Sequence, residues 1–367
     1  MRVLVVNPGS SSLKLGILEP DDAAAGFCDV GCAGGQVEAK PLDEFVATAP
    51  HPDAAGVRLV HGGAAFRHSV VIDDAILADL HQVADLAPLH NPPALDAVEV
   101  LRRRLPAIPI VACFDTAFHR TLPPAAATYA VPWEWTERWG ICRYGFHGLS
   151  HAYASRRAAE LLGSSPGSLR VVTCHLGAGA SLAAVDAGVS VDTTMGFTPL
   201  EGLVMASRSG SLDPGIVFWA QRHLGLGPVT VERLLEQESG LRGVSGVSAD
   251  MREVLAAADR GNERAGLALD VYIHRLRGGV AAMAAAMGGL DAVVFTGGVG
   301  ENSAVIRRET CRRLGFLGVA IDPERNDGVG DRDVSPPDVP VRVLAVHARE
   351  DLEIARETRM LLTSDRI

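Results

Sequence analysis

Two segments of this chain share one design: an apolar run, a turn rich in glycine or serine, and a second apolar run. The first is VLVVNPGSSSLKLGIL at 3–18, the second RVVTCHLGAGASLAAVDAG at 170–188. Pro, Gly and Ser are poor in helix and strand interiors, so each segment predicts a β-hairpin closed by a tight turn. Glycine admits positive φ and close approach, and serine hydroxyls add donors. Successive exposed N–H groups of this kind form a nest for anions. A hairpin used twice predicts two related domains whose turns face a shared cleft and grip a polyphosphate. A third glycine segment, GGVGEN at 297–302, follows another buried strand and is read as a loop.

The rest of the chain alternates strand and helix patterns, which predicts an α/β protein. GVRLVHGG (56–63) reads as a strand, 73–88 and 94–105 as helices, and IPIVACFD (108–115) as a buried strand ending at Asp115. A Pro- and Trp-rich connector at 121–140 marks a domain junction, and a helix is expected at about 151–162. The 367 residues suffice for two domains, each with its own core. Net charge is −10 with no basic stripe, so a nucleic-acid partner is not expected. The six cysteines form no CxxC pair, which predicts reduced thiols in a cytoplasmic protein. The opening apolar run ends at Asn7 and Pro8 after four residues, too short for a secretory signal. GGVAAMAAAMGGL (278–290) is too short to span a bilayer and reads as a closely packed helix.

Three common motifs are missing: GxxxxGK[ST], GxGxxG after a strand, and GxSxG. A P-loop protein, a Rossmann dehydrogenase and an α/β-hydrolase are therefore unsupported. His147 and His151 have the i, i+4 spacing of a zinc pair, but no HExxH glutamate accompanies them. Gly145 and Gly148 place His147 in a loop, where it can reach a phosphoryl group. Arg58 lies on a buried strand. It either pairs internally with a carboxylate such as Asp115 or waits for a substrate carboxylate. Arg208 sits among small residues in SRSGSLDPG, where a guanidinium can reach across a cleft.

Together these stretches resemble the acetate kinase family. The matching pieces, in family order, are NPGSSSLK, RLVHGG, APLHNPP, FDTAFH, YGFHGLSHAY, HLGAGASL, MGFTPLEGL, SRSGSLDP, GGVGEN and EDLEIAR. The resemblance implies the duplicated ribonuclease-H-like fold of the sugar-kinase and actin superfamily, with ATP in an interdomain cleft. It implies an N-terminal domain of 1–121 plus 346–367 and a C-terminal nucleotide-binding domain of 122–345. The implied reaction is transfer of the ATP γ-phosphoryl group to acetate, giving acetyl phosphate and ADP, with Mg²⁺ and with Mn²⁺ as an alternative. An acetate ion is already a nucleophile, so the task is to bring two anions together and neutralise charge on the moving group. A homodimer with no membrane partner is expected.

By motif matching, Arg58 holds the acetate carboxylate, and Val60, Leu89, Phe146 and Pro199 form the pocket for its methyl. Arg208 and His147 stabilise the transition state, and Asp115 orients the arginines or the metal. Asn7 and Glu350 support the metal, with Ser10, Ser12 and Lys14 nearby at the nucleotide phosphates. The nucleotide is bound by His175, Leu176, Gly177, Ala178 and Gly179, by Asp250, Met251 and Arg252, and by Gly297, Gly298, Val299, Gly300 and Glu301. Ala178 stands where the family usually has asparagine, and Ser211 where it has aspartate. The segment between 18 and 56 is shorter than is typical. Alternatives to an acetate kinase are a propionate or butyrate kinase, or a nucleotide-binding module of the same superfamily without catalysis. Leu89 and Phe146 give no sign of an enlarged pocket, and retention of Arg58, Asp115, His147 and Arg208 argues for catalysis.

Overall fold

The computed structural model describes residues 1–9, 12–31, 39–87 and 90–364. Contacts divide the chain into two compact units. Unit one comprises Met1–Arg120, Phe146–Tyr153 and Arg349–Ile367; unit two comprises Thr121–Gly145 and Ala154–Ala348. Unit one therefore includes Phe146–Tyr153, a segment that the sequence reading put in the C-terminal domain.

Unit one is built on a sheet of β1 (Val3–Pro8), β2 (Ser12–Leu18), β3 (Ala24–Gly31), β4 (Ala54–Leu59), β5 (Val70–Val71) and β6 (Ile110–Phe114). Their order is β3-β2-β1-β4-β6-β5. β1 and β2 form the expected antiparallel hairpin, Val3 opposite Leu18 and Pro8 opposite Leu13. β1, β4 and β6 run parallel. Parallel strands covered on both faces read as near-continuous apolar runs, and VLVV and IVACF are buried throughout. Leu4, Val6, Val57 and Ala112 face a core that includes Leu95, Val98 and Leu101 of the helix Asn91–Arg104. Val3, Val5, Val111 and Cys113 face Ile354 and Ala355 of the helix Glu350–Ser364.

Unit two repeats the plan with β7 (Arg170–Leu176), β8 (Ala180–Asp186), β9 (Val189–Thr193), β10 (Ala292–Thr296), β11 (Arg332–Asp333) and β12 (Arg342–Ala345). The order β9-β8-β7-β10-β12-β11 matches that of unit one strand for strand. β7 and β8 pair antiparallel, whereas β10 lies parallel to both β7 and β12. The long helix Glu263–Ala286 packs on β7 and β8 and buries Leu276, Val280 and Met283.

Three local readings differ from expectation. GGVGEN is a short helix, Gly297–Asn302, directly after β10, not a loop. Pro92 and Pro93 open the helix Asn91–Arg104; proline is tolerated in a first turn because those N–H groups lack helical partners anyway. The helix expected at 151–162 starts at Gly148.

Candidate active site

In unit one the polar groups gather where the parallel strands end, the usual ligand position in open α/β sheets. Asn7 is near the end of β1, Arg58 near the end of β4, and Asp115 follows β6. Asp115 is 1% exposed and takes Arg58 in a two-pronged ion pair, with Nη2 donating to Oδ2 at 2.6 Å and Nε to Oδ1 at 3.1 Å. The other side of the guanidinium donates to Asn7 Oδ1 at 3.1 Å and to the Pro8 carbonyl at 3.3 Å. Asn7 Nδ2 in turn donates to Glu350 Oε2 at 2.8 Å. Burial pushes the Asp115 carboxyl above the ordinary carboxylate range, against the pull of Arg58. Burial also opposes the charge on Arg58, but Asp115 and Glu350 outweigh it and keep the guanidinium protonated. Of the two readings left open for Arg58, the internal partner is the one found here.

His147 stands beside this cluster in a left-handed conformation, φ 56°. Such a backbone is strained for a side chain and persists only when its surroundings hold it. Here its N–H binds the Asp115 carboxyl, and its carbonyl accepts from His151 N at 2.9 Å. Gly148 N donates to the Asp115 carbonyl at 3.0 Å, and a Cβ at Gly148 would lie 2.0 Å from that oxygen. Phe146 is buried, with its ring edge-on to His61. His119 Nε2 lies 3.1 Å from the Phe146 carbonyl, and burial depresses the ring to about 4, so the neutral imidazole donates. Val60 is fixed by Asn91, whose Oδ1 accepts from the N–H groups of Val60 and His61 while Nδ2 donates to the His61 carbonyl. Sequence reasoning missed Asn91 and His119, because both act on backbone atoms distant in the chain. Ser10 and Leu89 lie outside the described residues, as does the side chain of Ser12. Lys14 is exposed on β2, opposite Asn7.

In unit two a cavity of about 670 Å³ brings together Gly177, Ala178, Asp250, Met251, Arg252, Gly298 and Val299. Three stretches distant in sequence thus meet around one mostly apolar hollow, suited to a base and sugar. Asp250 caps the helix Met251–Asp259 and pairs with Arg252, which holds its carboxyl down at about 2. Leu255, Tyr272, Asn302 and Ser303 also line the cavity and were not foreseen. The Tyr272 hydroxyl is buried without a hydrogen-bond partner among the described residues. Not every expected residue lines it. Gly297 and Gly300 are buried in the short helix after β10. The Glu301 carboxylate is engaged by His347 Nδ1 at 2.6 Å and by Ala348 N at 2.8 Å. His175, Leu176 and Gly179 shape the β7–β8 hairpin, where Gly177 N donates to the Gly179 carbonyl.

Arg208, also in unit two, is half-buried and donates to the Pro199 carbonyl at 3.3 Å. Burial lowers its pKa, only partly offset by Glu236, and it has no ion pair among the described residues. A guanidinium so placed favours an incoming anion. Ser211, at the position where aspartate was expected, accepts from Gly202 N instead.

Two sheets of one strand order, each opening on a glycine-turn hairpin, define a two-domain α/β protein of the ribonuclease-H-like, actin-like ATPase fold. Residues 36–356 match the sequence profile described as the Acetokinase family. An acetate kinase of Gloeobacter violaceus is 54% identical over 83% of this chain and 76% of its own. The crystal structure of Porphyromonas gingivalis acetate kinase superposes with a TM-score of 0.90 at 37% identity, over 98% of this chain and 99% of its own. A propionate kinase from Francisella tularensis superposes at 0.89 with 36% identity and the same coverage. The chain belongs to the acetokinase family.

Proposed function

We propose that this chain catalyses the reversible transfer of the ATP γ-phosphoryl group to acetate, by direct in-line attack of a carboxylate oxygen on phosphorus. The O–P bond to acetate forms as the bond to the ADP β-phosphate oxygen breaks, and no proton need move. The observation that carries this reading is the pairing of functions on the two units. Unit one holds a buried guanidinium at its strand ends, and unit two holds a nucleotide-sized cavity together with an arginine that has no ion pair among the described residues. Unit one would serve the acceptor and unit two the nucleotide; relative to the expected domains 1–121 plus 346–367 and 122–345, unit one also takes in Phe146–Tyr153. Arg58 would turn a donor to the acetate carboxylate, with Val60, Leu89, Phe146 and Pro199 around its methyl. Arg208 and His147 would meet the charge that develops on the transferring group.

The family uses a divalent metal, and the residues of unit one fit one. Mg²⁺ takes hard oxygen ligands, keeps several waters and needs only one or two protein groups beside substrate phosphates. Glu350 and Asn7 offer that set, tied to each other at 2.8 Å, whereas Asp351 is occupied by Arg349. A bound ion would shield the phosphates from the approaching carboxylate. Mg²⁺ rather than Mn²⁺ is our assignment.

Trapping acetyl phosphate as its hydroxamate, with ATP, Mg²⁺ and acetate, tests the reading. Wild type should form product, and Arg208→Ala should lower turnover by about 10²–10³, the usual loss when one charge-stabilising donor is removed. Arg208 is the cleaner target. Arg58→Ala also strips the partner from buried Asp115, at a cost of about 3–5 kcal/mol. Near-normal turnover in Arg208→Ala would refute the proposal. The similarity to a propionate kinase supports one alternative acceptor. An extra methylene changes kcat/KM by about 10–200-fold, so the acetate-to-propionate ratio decides between them.

A homodimer is part of the same reading. The helices Trp133–Trp139 and Pro214–Leu224 expose the large apolar side chains Trp133, Trp135, Trp139, Ile216, Phe218 and Trp219, residue types that a subunit interface would cover. No described helix is long and apolar enough to cross a membrane. Cys28, Cys113, Cys142, Cys174 and Cys311 are free thiols, in keeping with a reducing cytoplasm.

A further inference from the structure

The helix Gly297–Asn302 borders a second cavity in unit two, about 420 Å³, which shares only Asn302 with the nucleotide cavity. Two guanidinium groups line it, Arg307 and Arg332. Arg307 is 1% exposed. Its Nε donates to Asn326 Oδ1 at 2.8 Å, its Nη1 to the carbonyls of Gly300 and Glu301 at 2.8 and 2.7 Å, and its Nη2 to the Asn326 carbonyl at 2.6 Å. Arg332 Nη2 reaches that same carbonyl at 2.9 Å, while its Nε and Nη1 go to the carbonyls of Arg325 and Gly330. Two cations therefore converge on one neutral oxygen. Every acceptor they use is neutral, and neither has an ion pair among the described residues.

This arrangement costs energy as it stands. Burial, and then the nearby Arg332, hold the Arg307 guanidinium down to about 10. Local carboxylates do not repair it. Glu301 is taken up by His347 and Ala348, and Asp327 acts on both arginines only through space. A guanidinium has five N–H donors, so Arg332 and Arg307 both retain donors beyond the bonds named. Converging arginines with free donors and no ion pair among the described residues, in a cavity whose Glu301 is engaged elsewhere and whose Asp327 acts only through space, suit a phosphate-type oxyanion, which accepts parallel hydrogen bonds and adds negative charge.

We propose that this cavity is a second anion site, separate from the nucleotide cavity, which receives the phosphate-type oxyanion of a small molecule on Arg307 and Arg332. Free inorganic phosphate and the head of a small phosphomonoester share that chemistry. The cavity is roomier than a bare phosphate needs. The site does not depend on which acceptor the enzyme phosphorylates. It does touch the nucleotide side, because Arg307 grips the carbonyls of Gly300 and Glu301 in the helix that presents Gly298 and Val299 to the first cavity. Any effect of the anion on nucleotide affinity must be matched by an equal effect of nucleotide on the anion.

Isothermal titration of the full chain, preloaded with saturating ADP, tests the site. One arm uses inorganic phosphate, the other glycerol 3-phosphate. Wild type should bind in at least one arm, and the tighter arm identifies the source. Arg208→Gln should keep that binding, because it disables the transfer chemistry and not this cavity. Arg332→Gln should weaken it by about tenfold or more, the loss of one charge-assisted bond. Val329→Glu should weaken it similarly by placing a carboxylate at the lip. Val329 is 95% exposed, so this variant folds even if Arg332→Gln does not. The proposal is overturned if wild type binds neither probe up to roughly 10 mM, a free energy near 3 kcal/mol. It is equally overturned if Val329→Glu binds as wild type does, or if Arg208→Gln abolishes the binding.

Discussion

Gly148 ties the reacting groups of unit one together. The carbonyl and the carboxylate of Asp115 both accept from the backbone of His147–Gly148, so one residue sets where the His147 ring and the Arg58 partner lie. With a Cβ to be placed 2.0 Å from the Asp115 carbonyl and 2.8 Å from Phe118 Cβ, Gly148→Ala must push the turn away from β6. A displacement of about 1 Å at a catalytic group costs on the order of 10² in rate. We expect turnover to fall by that amount with ADP affinity unchanged, since the nucleotide cavity belongs to unit two; a parallel loss of ADP affinity would count against this account. The chemistry of single residues was legible where a physical cost announced it. Arg58 on a buried strand demands an anion, and Asp115 at the end of the next strand is the one it found. The partners that Glu301 has in the structure, His347 and Ala348, were not legible, because they lie far along the chain.

Among the elements, the hairpins β1–β2 and β7–β8 were plain from the sequence, because apolar runs flanking a glycine or serine turn leave few alternatives. GGVGEN was not. Glycine signals a break on average, yet here the segment is helical and held by Arg307. The docking of the helix Glu350–Ser364 on β4 was also hidden, since it depends on a missing side chain. A Cβ at Gly56 would lie 2.4 Å from Thr358 Oγ1 and 2.6 Å from Ile354 Cγ2, so only glycine lets the helix lie this close to the sheet. Gly56→Ala should therefore destabilise by about 1–3 kcal/mol, the range for overpacking a core. It should also lower activity, because Glu350 begins the same helix and would shift with it. Chemical denaturation together with the hydroxamate assay checks both effects. A stable variant with full activity would show that the helix yields freely.

For the whole molecule, the duplication was legible because a repeated hairpin is a repeated fold, and the matched strand orders bear this out. The assignment of Phe146–Tyr153 to unit one was not, because it rests on long-range contacts with Asp115 and Phe118. Stability as a function of pH is likewise set by groups that folding brings together. Glu357, on the helix Glu350–Ser364, is pushed up to about 7, chiefly by burial. It accepts from Ser69 Oγ and faces Glu353 and Arg356 of its own helix, Arg120 from the turn after β6, and Cys113 on β6. A carboxyl whose folded pKa lies above its unfolded value near 4.5 favours folding when protonated. Its contribution is complete below that unfolded value and is lost as pH rises through 7. Because the group is partly exposed, solvent screening reduces the effect to about 1–2 kcal/mol. Melting curves of wild type and Glu357→Gln, taken without nucleotide from pH 5 to 8, should start close together and diverge. Wild type falls behind as pH rises, because glutamine stays neutral throughout. Curves that remain parallel would mean that Glu357 titrates in the native protein as it does in water, and that its burial carries no such cost.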